Sequence, residues 1–444
     1  MFEERRVNSH SNAPSMAEFA NLHDFKQPRG MQRALDRIEL TIAICVVFFS
    51  PMNFLRLPLF YFTLSDALAC VCFFLLLMRG RLSLHPIGPA STLIWLIGLS
   101  MLLSMLLLSS LVNDPIRGAI YVTQYFFAYF IILCVIGGRS ERQLYILAKI
   151  YILSIIVMCI HGVYLINIDG QRATSFVSGN GRLTGFVERE NECAALIALA
   201  TPILMLLVGT KQLPKVALLG LALMGYGVML TGSNTGLASF AAVVAVFALL
   251  TVNWKMLVPL GAFCVGIVLM VDRFGRDYLP VTFQRRVLGA LESGNLSEAG
   301  SFDHRVELIY EAIGRTRHAM FVGMGADQYT ITSFLKQPVH NLYLLLWTEG
   351  GLLCMLGFIV MISAGFGPAL VALRRPGGRI FAACTLCTVG LFMLSINAFP
   401  SVYGRFWTMP IFLAISMSCA FLARRTSPTA SSFPDQRRPI LRMS

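Results

Sequence analysis

Long uninterrupted apolar runs are the feature that most constrains how this chain folds. A helix needs roughly 20 apolar residues to cross a bilayer, and this sequence, 56% hydrophobic and only 13% charged, consists mostly of such runs. The runs are continuous rather than alternating, which favours helices over a transmembrane barrel. The predicted fold class is an all-α polytopic membrane protein of about twelve transmembrane helices. The predicted spans lie at approximately 38–55, 57–78, 89–111, 118–137, 144–166, 191–209, 214–231, 235–252, 255–271, 340–364, 379–397 and 403–423.

The formal charge of +13 is distributed in a way that indicates membrane orientation. If the N-terminus is cytoplasmic, the inner segments hold 21 basic and 7 acidic residues, whereas the outer loops hold 14 basic and 13 acidic residues. This asymmetry is the bias expected of a membrane protein, whose cytoplasmic loops are rich in Lys and Arg. We therefore predict that both termini are cytoplasmic, and the charge gives no reason to expect a nucleic-acid partner.

The predicted spans divide the chain into five regions. The polar first region lacks an apolar core, so it does not resemble a secretory signal, and both ends have the composition of disordered tails. The regions are a cytoplasmic tail at 1–37, spans one to nine at 38–271 with an outer loop at 167–190, a large outer loop at 272–339, spans ten to twelve at 340–423, and a cytoplasmic tail at 424–444.

The large loop at 272–339 is far longer than an ordinary connection, which favours a functional segment. Within it, the apolar spacing over 302–318 predicts an amphipathic helix. The loop contains eight basic and eight acidic residues, so it would bind a polyanion only through particular arginines. Arg305, Arg315 and Arg317 are the candidates nearest the predicted helix.

A histidine stands where this loop meets the tenth predicted span. On one continuous helix beginning at 340, His340, Tyr343, Trp347 and Gly351 would share a face. That face would present an imidazole, two aromatic rings and a glycine that permits close backbone approach. It suits a lined cavity, but it is also compatible with an interfacial aromatic belt and a histidine that only caps the loop.

The shorter outer loop offers a second candidate site, because Arg182 lies in it and Asn191 follows at the start of the sixth span. Arginine binds phosphate oxygens through forked, charge-assisted hydrogen bonds. The alternative is a loop charge paired with Glu188 or Glu190.

Two further groups are interpreted as structural. Asp66 lies inside the second span, where ionisable groups are costly and often functional, but a polar contact to a neighbouring helix is favoured over catalysis. Cys384 and Cys387 form a CxxC on an apolar helix, where packing is the favoured interpretation. We predict no disulfide framework, no metal site and no cofactor.

Considered together, these motifs resemble the bacterial O-antigen ligase and polysaccharide polymerase superfamily over about residues 180–355. One position departs from the pattern, because many relatives have arginine where this chain has Asn234, which puts a phosphate role there in doubt. The matching pieces are Arg182-x-x-Gly185 with Asn191, Leu230-Thr231-Gly232-Ser233-x-Thr235-Gly236, Arg305 with Gly323-x-Gly325, and His340-Asn341 followed by Glu349-Gly350-Gly351.

The resemblance implies a substrate and a reaction. The substrate would be a glycan on undecaprenyl pyrophosphate at the periplasmic face of the inner membrane, transferred to a hydroxyl of a second glycan. By the same resemblance, Arg182 and Arg305 would hold the pyrophosphate, and His340 would activate or orient the acceptor or contact the pyrophosphate. Further substrate contacts are expected from Asn191, Arg315, Tyr343 and Trp347. Expected partners are membrane lipids and chain-length regulator or export proteins.

Several functions share these features. The leading interpretation is a metal-independent polymerase for an exopolysaccharide or O-antigen, and the nearest alternative is a ligase that uses lipid A-core as acceptor. A lipid-linked sugar or drug transporter is disfavoured because no internal repeat is evident and the connection at 210–215 is short. A non-catalytic subunit of a synthesis complex is a third alternative.

Overall fold

The computed structural model describes residues 29–57, 61–171, 173–251, 261, 265–266, 269, 281–284, 302–317 and 320–424. Within these ranges the fold is helical, and extended pairing is limited to two isolated bridges. The chain separates into a first compact unit that ends at Thr41 and a second that begins at Ile42. The helices are α1 Arg29–Phe49, α2 Leu64–Met78, α3 Pro89–Ser110, α4 Pro115–Ile136, α5 Glu141–Ile168, α6 Glu190–Gly209, α7 Lys215–Thr231, α8 Asn234–Thr251, α9 Phe302–Thr316, α10 Gln328–Thr332, α11 Leu342–Gly350, α12 Leu352–Leu373, α13 Arg379–Ser395 and α14 Arg405–Ala423, with single turns at Gly185–Val187 and Val281–Phe283.

Among the described residues, seven helices are long and apolar enough to cross a membrane: α3, α4, α5, α6, α8, α12 and α14. Three shorter apolar helices, α2, α7 and α13, also fall at predicted spans. The prediction of an all-helical polytopic membrane protein agrees with this arrangement. The ninth predicted span, 255–271, lies largely outside the described residues, as do most of both predicted tails, so the count of twelve stays a prediction.

The prediction of one continuous helix over 340–364 is wrong. The structure has two helices here, α11 and α12, separated by Gly351 with φ +87°. A left-handed φ is incompatible with an α-helix and favours glycine. The backbone of Phe321 approaches Gly351 so closely that a Cβ atom would clash with it. Gly351 therefore does not continue the face that begins with His340.

Helix α6 lies at the centre of the bundle, because 94% of its most apolar window is buried. Helix α14 is the next most enclosed of the long helices at 78%. Helices α3 and α12 cross closely at Gly98 and Gly357, where a Cβ on Gly98 would lie 2.5 Å from the Gly357 carbonyl oxygen. Small residues at such crossings let helix backbones pack in a membrane.

The amphipathic helix predicted at 302–318 is confirmed as α9. Its apolar face packs against α10 and α11 through Leu308, Ala312, Tyr329 and Leu345. The Tyr329 hydroxyl donates a hydrogen bond to the Leu308 carbonyl oxygen at 2.9 Å. The described end of the large loop is thus packed onto α11, the helix that follows His340.

Candidate active site

His340 lies immediately before α11 in a position that the neighbouring backbone fixes. Asn341 caps this helix, since its side-chain oxygen accepts a hydrogen bond from the Leu344 N–H at 3.1 Å. The Leu342 N–H donates to the Ile396 carbonyl oxygen at 2.9 Å, which ties the start of α11 to the end of α13. The imidazole is therefore carried on a rigid corner rather than on a mobile loop.

The electrostatic surroundings of His340 keep its imidazole neutral at pH 7. Burial, together with the positive charges of Arg305 and Arg189, lowers its pKa from 6.5 to about 4. A neutral imidazole can accept a proton. It would not attract a phosphate through a positive charge of its own.

Arg305, on the first turns of α9, lines a small cavity beside Asn191 at the start of α6. The cavity has about 20 Å³ of free space, which is room for about one water molecule. Ser233, Thr235 and Ser395 also line it. The structure thus brings together Arg305 and Asn191, two of the residues singled out from the sequence, with Ser233 and Thr235 at the start of α8.

Arg182 is buried and makes a full set of contacts. Its Nε donates to the Thr231 carbonyl oxygen at 2.7 Å, and its Nη2 donates to the Asn191 side-chain oxygen at 3.1 Å. Its Nη1 lies 3.6 Å from a carboxylate oxygen of Glu190. A guanidinium at the C-terminal end of α7 is favoured by the helix dipole. Arg182 therefore holds the loop between α5 and α6 against the end of α7 and the start of α6.

Arg189 is a candidate that sequence reasoning missed. It is the N-cap residue of α6, its side chain is 63% exposed, and its charge is close enough to His340 to lower the imidazole pKa. The nearest carboxylate is that of Glu192, at 3.8 Å. The only sequence feature that could have indicated Arg189 as a site residue is its position two residues before Asn191.

The remaining predicted contact residues have structural partners. The Tyr343 hydroxyl donates to the Met393 carbonyl oxygen at 3.0 Å, so it joins α11 to α13. Arg315 binds the Glu311 carboxylate at 2.6 Å and the Thr332 carbonyl oxygen at 2.7 Å, which joins α9 to α10. By contrast, the Trp347 indole N–H is buried without a hydrogen-bond partner among the described residues.

The glycines of the two later motifs pack backbone against backbone. The N–H of Gly325 donates to the Glu349 carbonyl oxygen and that of Met324 to the Thr348 carbonyl oxygen, both at 2.9 Å. A Cβ on Gly323 would clash with the backbone of Glu349. The Gly323-x-Gly325 and Glu349-Gly350-Gly351 motifs thus form one junction between the large loop and α11.

A second, apolar cavity of about 670 Å³ lies beside the start of α4. Leu57, Phe62, Ile116, Ile120 and Phe127 are among its lining residues. Its charged lining residue, Arg405, pairs with Asp66, so Asp66 has the polar contact to a neighbouring helix that was predicted for it. The cavity has the size and apolar character of a ligand site.

The fold is that of a polytopic α-helical membrane protein, with a histidine and arginines gathered at one end. Comparison with protein families adds a match to the O-antigen ligase family over residues 219–359. The match covers less than half of the chain, and it supports an O-antigen ligase-like superfamily member. Proteins of that family are ligases and polymerases of the glycosyltransferase type. A search of curated proteins finds no match. Among the described residues, no group of three His, Cys, Asp or Glu side chains is arranged to hold a metal ion.

Proposed function

We propose that this protein polymerises lipid-linked oligosaccharide repeat units at the periplasmic face of the inner membrane, in exopolysaccharide or O-antigen biosynthesis. The observation that carries the proposal is the proximity of a neutral His340 to Arg305 and Arg189 at a fixed helix corner. The proposal includes twelve spans, cytoplasmic termini and the large loop between spans nine and ten on the periplasmic side.

The arginines are proposed to hold the pyrophosphate of an undecaprenyl-linked donor. Arg305 and Arg189 supply charge beside His340, where guanidinium groups bind phosphate oxygens without a metal ion. Arg182 already contacts Thr231, Asn191 and Glu190. It can bind phosphate only if the phosphate replaces the Glu190 carboxylate; otherwise its role is to position the Asn191 side chain. Because the cavity beside Arg305 holds about one water molecule, donor binding requires α9 to move away from α6.

The proposed reaction is a glycosyl transfer in which a hydroxyl oxygen of the acceptor glycan bonds to the anomeric carbon of the donor. The bond from that carbon to the pyrophosphate oxygen breaks, and the lipid pyrophosphate leaves with the electron pair. The hydroxyl proton passes to the free imidazole nitrogen of His340, which acts as general base. The arginines stabilise the negative charge that develops on the leaving group.

The aromatic side chains and the apolar cavity have supporting roles in this proposal. The buried indole N–H of Trp347, which has no partner among the described residues, is proposed to donate to a sugar hydroxyl when the site opens. Tyr343 and Arg315 contribute by keeping α11 and α9 in place. The apolar cavity beside α4 accommodates part of the isoprenoid chain, because its walls match a hydrocarbon.

Reconstitution in liposomes with a defined undecaprenyl-pyrophosphate oligosaccharide tests the proposal. The wild-type protein should give a ladder of lengthening chains, whereas His340→Ala and Arg305→Ala should leave the single units unused. His304→Ala and Arg317→Ala are matched controls, since both side chains are exposed on α9 or directly after it. Normal ladders from the two site variants would refute the catalytic assignment.

The same experiment distinguishes the alternatives. A single transfer onto added lipid A-core, without a ladder, would identify a ligase. Movement of the lipid-linked unit across the liposome membrane without any transfer would identify a transporter. Purified protein that catalyses neither process would indicate a non-catalytic subunit.

A further inference from the structure

A charged cavity of about 460 Å³ lies at the other end of α5 from the Arg182 loop. The first three turns of α5 line it, together with Gln212 of the α6–α7 connection and Arg424 after α14. Helix α5 has 28 residues and extends about 42 Å. The cavity is therefore separated from His340 and the arginine site by the thickness of a bilayer.

Two positive charges in this cavity are not neutralised within the described part of the chain. Arg424 forms an ion pair with Glu141, which leaves Arg142 and Lys149 as the excess charge. No hydrogen bond or ion pair joins either of these two side chains to another described residue. Tyr145 and Gln212 add a hydroxyl and an amide, so the cavity offers several donors to an anion.

Lys149 is the more informative of the two residues, because it lies well inside a predicted span. A charged side chain at such a depth is costly unless it has a partner or reaches the interface. Its half-buried side chain shares one helix face with Arg142, at a spacing of seven residues. This arrangement points both charges into the same cavity.

The same face of α5 continues toward the middle of the bilayer as an apolar strip. Leu153, Val157 and Ile160 follow Lys149 at helical spacing, and they are 49%, 37% and 54% exposed. A ligand with an anionic head at Arg142 and Lys149 would lie with any hydrocarbon chain along these side chains. Free phosphate would make no use of the strip.

We propose that this cavity is a binding site for an anionic phospholipid, whose phosphate lies between Arg142 and Lys149 and whose acyl chain lies along Leu153, Val157 and Ile160. Basic cavities between transmembrane helices at the cytoplasmic side are suited to such head groups. The site is separate from the proposed glycosyl-transfer site and does not depend on it. The bound phospholipid would contact the start of α5, the α6–α7 connection and the end of α14.

Native mass spectrometry of delipidated protein, titrated with phosphatidylglycerol or phosphatidylcholine, tests this site. We expect phosphatidylglycerol to bind wild-type protein more tightly than phosphatidylcholine. Each basic residue near a membrane surface contributes about fivefold in affinity for an anionic lipid, so Arg142→Gln with Lys149→Gln should weaken phosphatidylglycerol binding about 30-fold. Arg374→Gln, an exposed charge directly after α12, is the control and should bind as wild type does.

Three outcomes would overturn the proposal. They are equal binding of the two lipids, unchanged binding by the double variant, and displacement of phosphatidylglycerol by inorganic phosphate, which would indicate a free-phosphate site. If the double variant does not fold, Arg142→Gln alone decides the question. Its side chain is exposed, and we expect about a fivefold loss; no loss would again contradict the proposal.

Discussion

Arg405 on the first turn of α14 forms an ion pair with Asp66 on the first turn of α2, and both side chains are almost completely buried. Asp66 also accepts a hydrogen bond from the Thr63 N–H at 2.7 Å, as part of the capping box that begins α2. Arg405 lies with its guanidinium carbon 5.6 Å from the centre of the Phe127 ring. The pair therefore joins the starts of two helices that are 339 positions apart in the sequence.

Removing one member of this pair should destabilise the protein strongly. Asp66→Ala leaves a buried guanidinium without its counter-charge, and we expect a loss of about 3–5 kcal/mol in the free energy of unfolding. Asp66→Ala combined with Arg405→Met should recover most of that loss, because no charge is then buried alone. Reversible unfolding in mixed micelles measures both values, and a single variant as stable as wild type would contradict the expectation.

The ionisation of His340 can be measured directly. Because burial and the charges of Arg305 and Arg189 keep its pKa at about 4, NMR of histidine-labelled protein should show a neutral ring down to about pH 5. Arg305→Gln removes one repulsive charge and should raise the His340 pKa, although burial remains. A wild-type titration at 6.5 would contradict the described environment.

The same shift has a consequence for stability. The unfolded chain binds a proton at His340 below about pH 6.5, whereas the folded protein does not until about pH 4. The contribution of His340 to the free energy of unfolding should therefore decrease as pH falls from 6.5 to 4 and then level off. Comparing wild type with His340→Gln over this range isolates that contribution, and parallel curves would refute it.

The glycine junction between the large loop and α11 should tolerate no side chain. Gly323→Ala and Gly351→Ala would each place a Cβ against backbone atoms, and Gly351 also has a positive φ. We expect both variants to lose about 1–3 kcal/mol and to expose the loop to protease. The matched control is Gly314→Ala on α9, where a Cβ meets nothing within 4 Å. Equal protease resistance in all three variants would contradict this assignment.

Filling the apolar cavity should impair use of the lipid-linked donor. Ile120→Trp replaces an aliphatic side chain with a larger indole ring in the space where the isoprenoid chain is proposed to lie. We expect a several-fold higher KM for the full-length lipid and a smaller effect with a short-chain analogue. Val112→Trp, at a position that is 86% exposed, is the control. An unchanged KM for Ile120→Trp would exclude this cavity as the lipid site.

The sequence predicted the helices well because their signals are local. Apolar runs and the periodicity of α9 both act within a few residues. The break at Gly351 was not predictable in this way, since it depends on the backbone of Phe321 thirty residues earlier in the chain. A continuous apolar run does not predict that contact.

The candidate site was predicted only in part for a similar reason. Arg305 and Asn191 were selected from their motifs, and they meet at one cavity. The charge of Arg189 beside His340 and the pairing of Asp66 with Arg405 arise from tertiary packing, which local spacing does not encode. The engagement of Arg182 with Thr231 and Asn191 likewise becomes visible only when the loop is folded against α6 and α7.

The backbone junction at Gly323 and Gly325 restricts how the protein can admit a substrate. The segment after it is also attached to the bundle, since Asp327 forms an ion pair with Arg117 at 2.6 Å and the Ala326 N–H donates to the Ser110 hydroxyl at 2.9 Å. This end of the loop is thus fixed to the bundle, and we expect any movement of α9 to be a rotation about it. Entry to the cavity beside Arg305 would then be a rotation that carries Arg305 farther than Arg315, because Arg315 lies nearer the pivot in the chain.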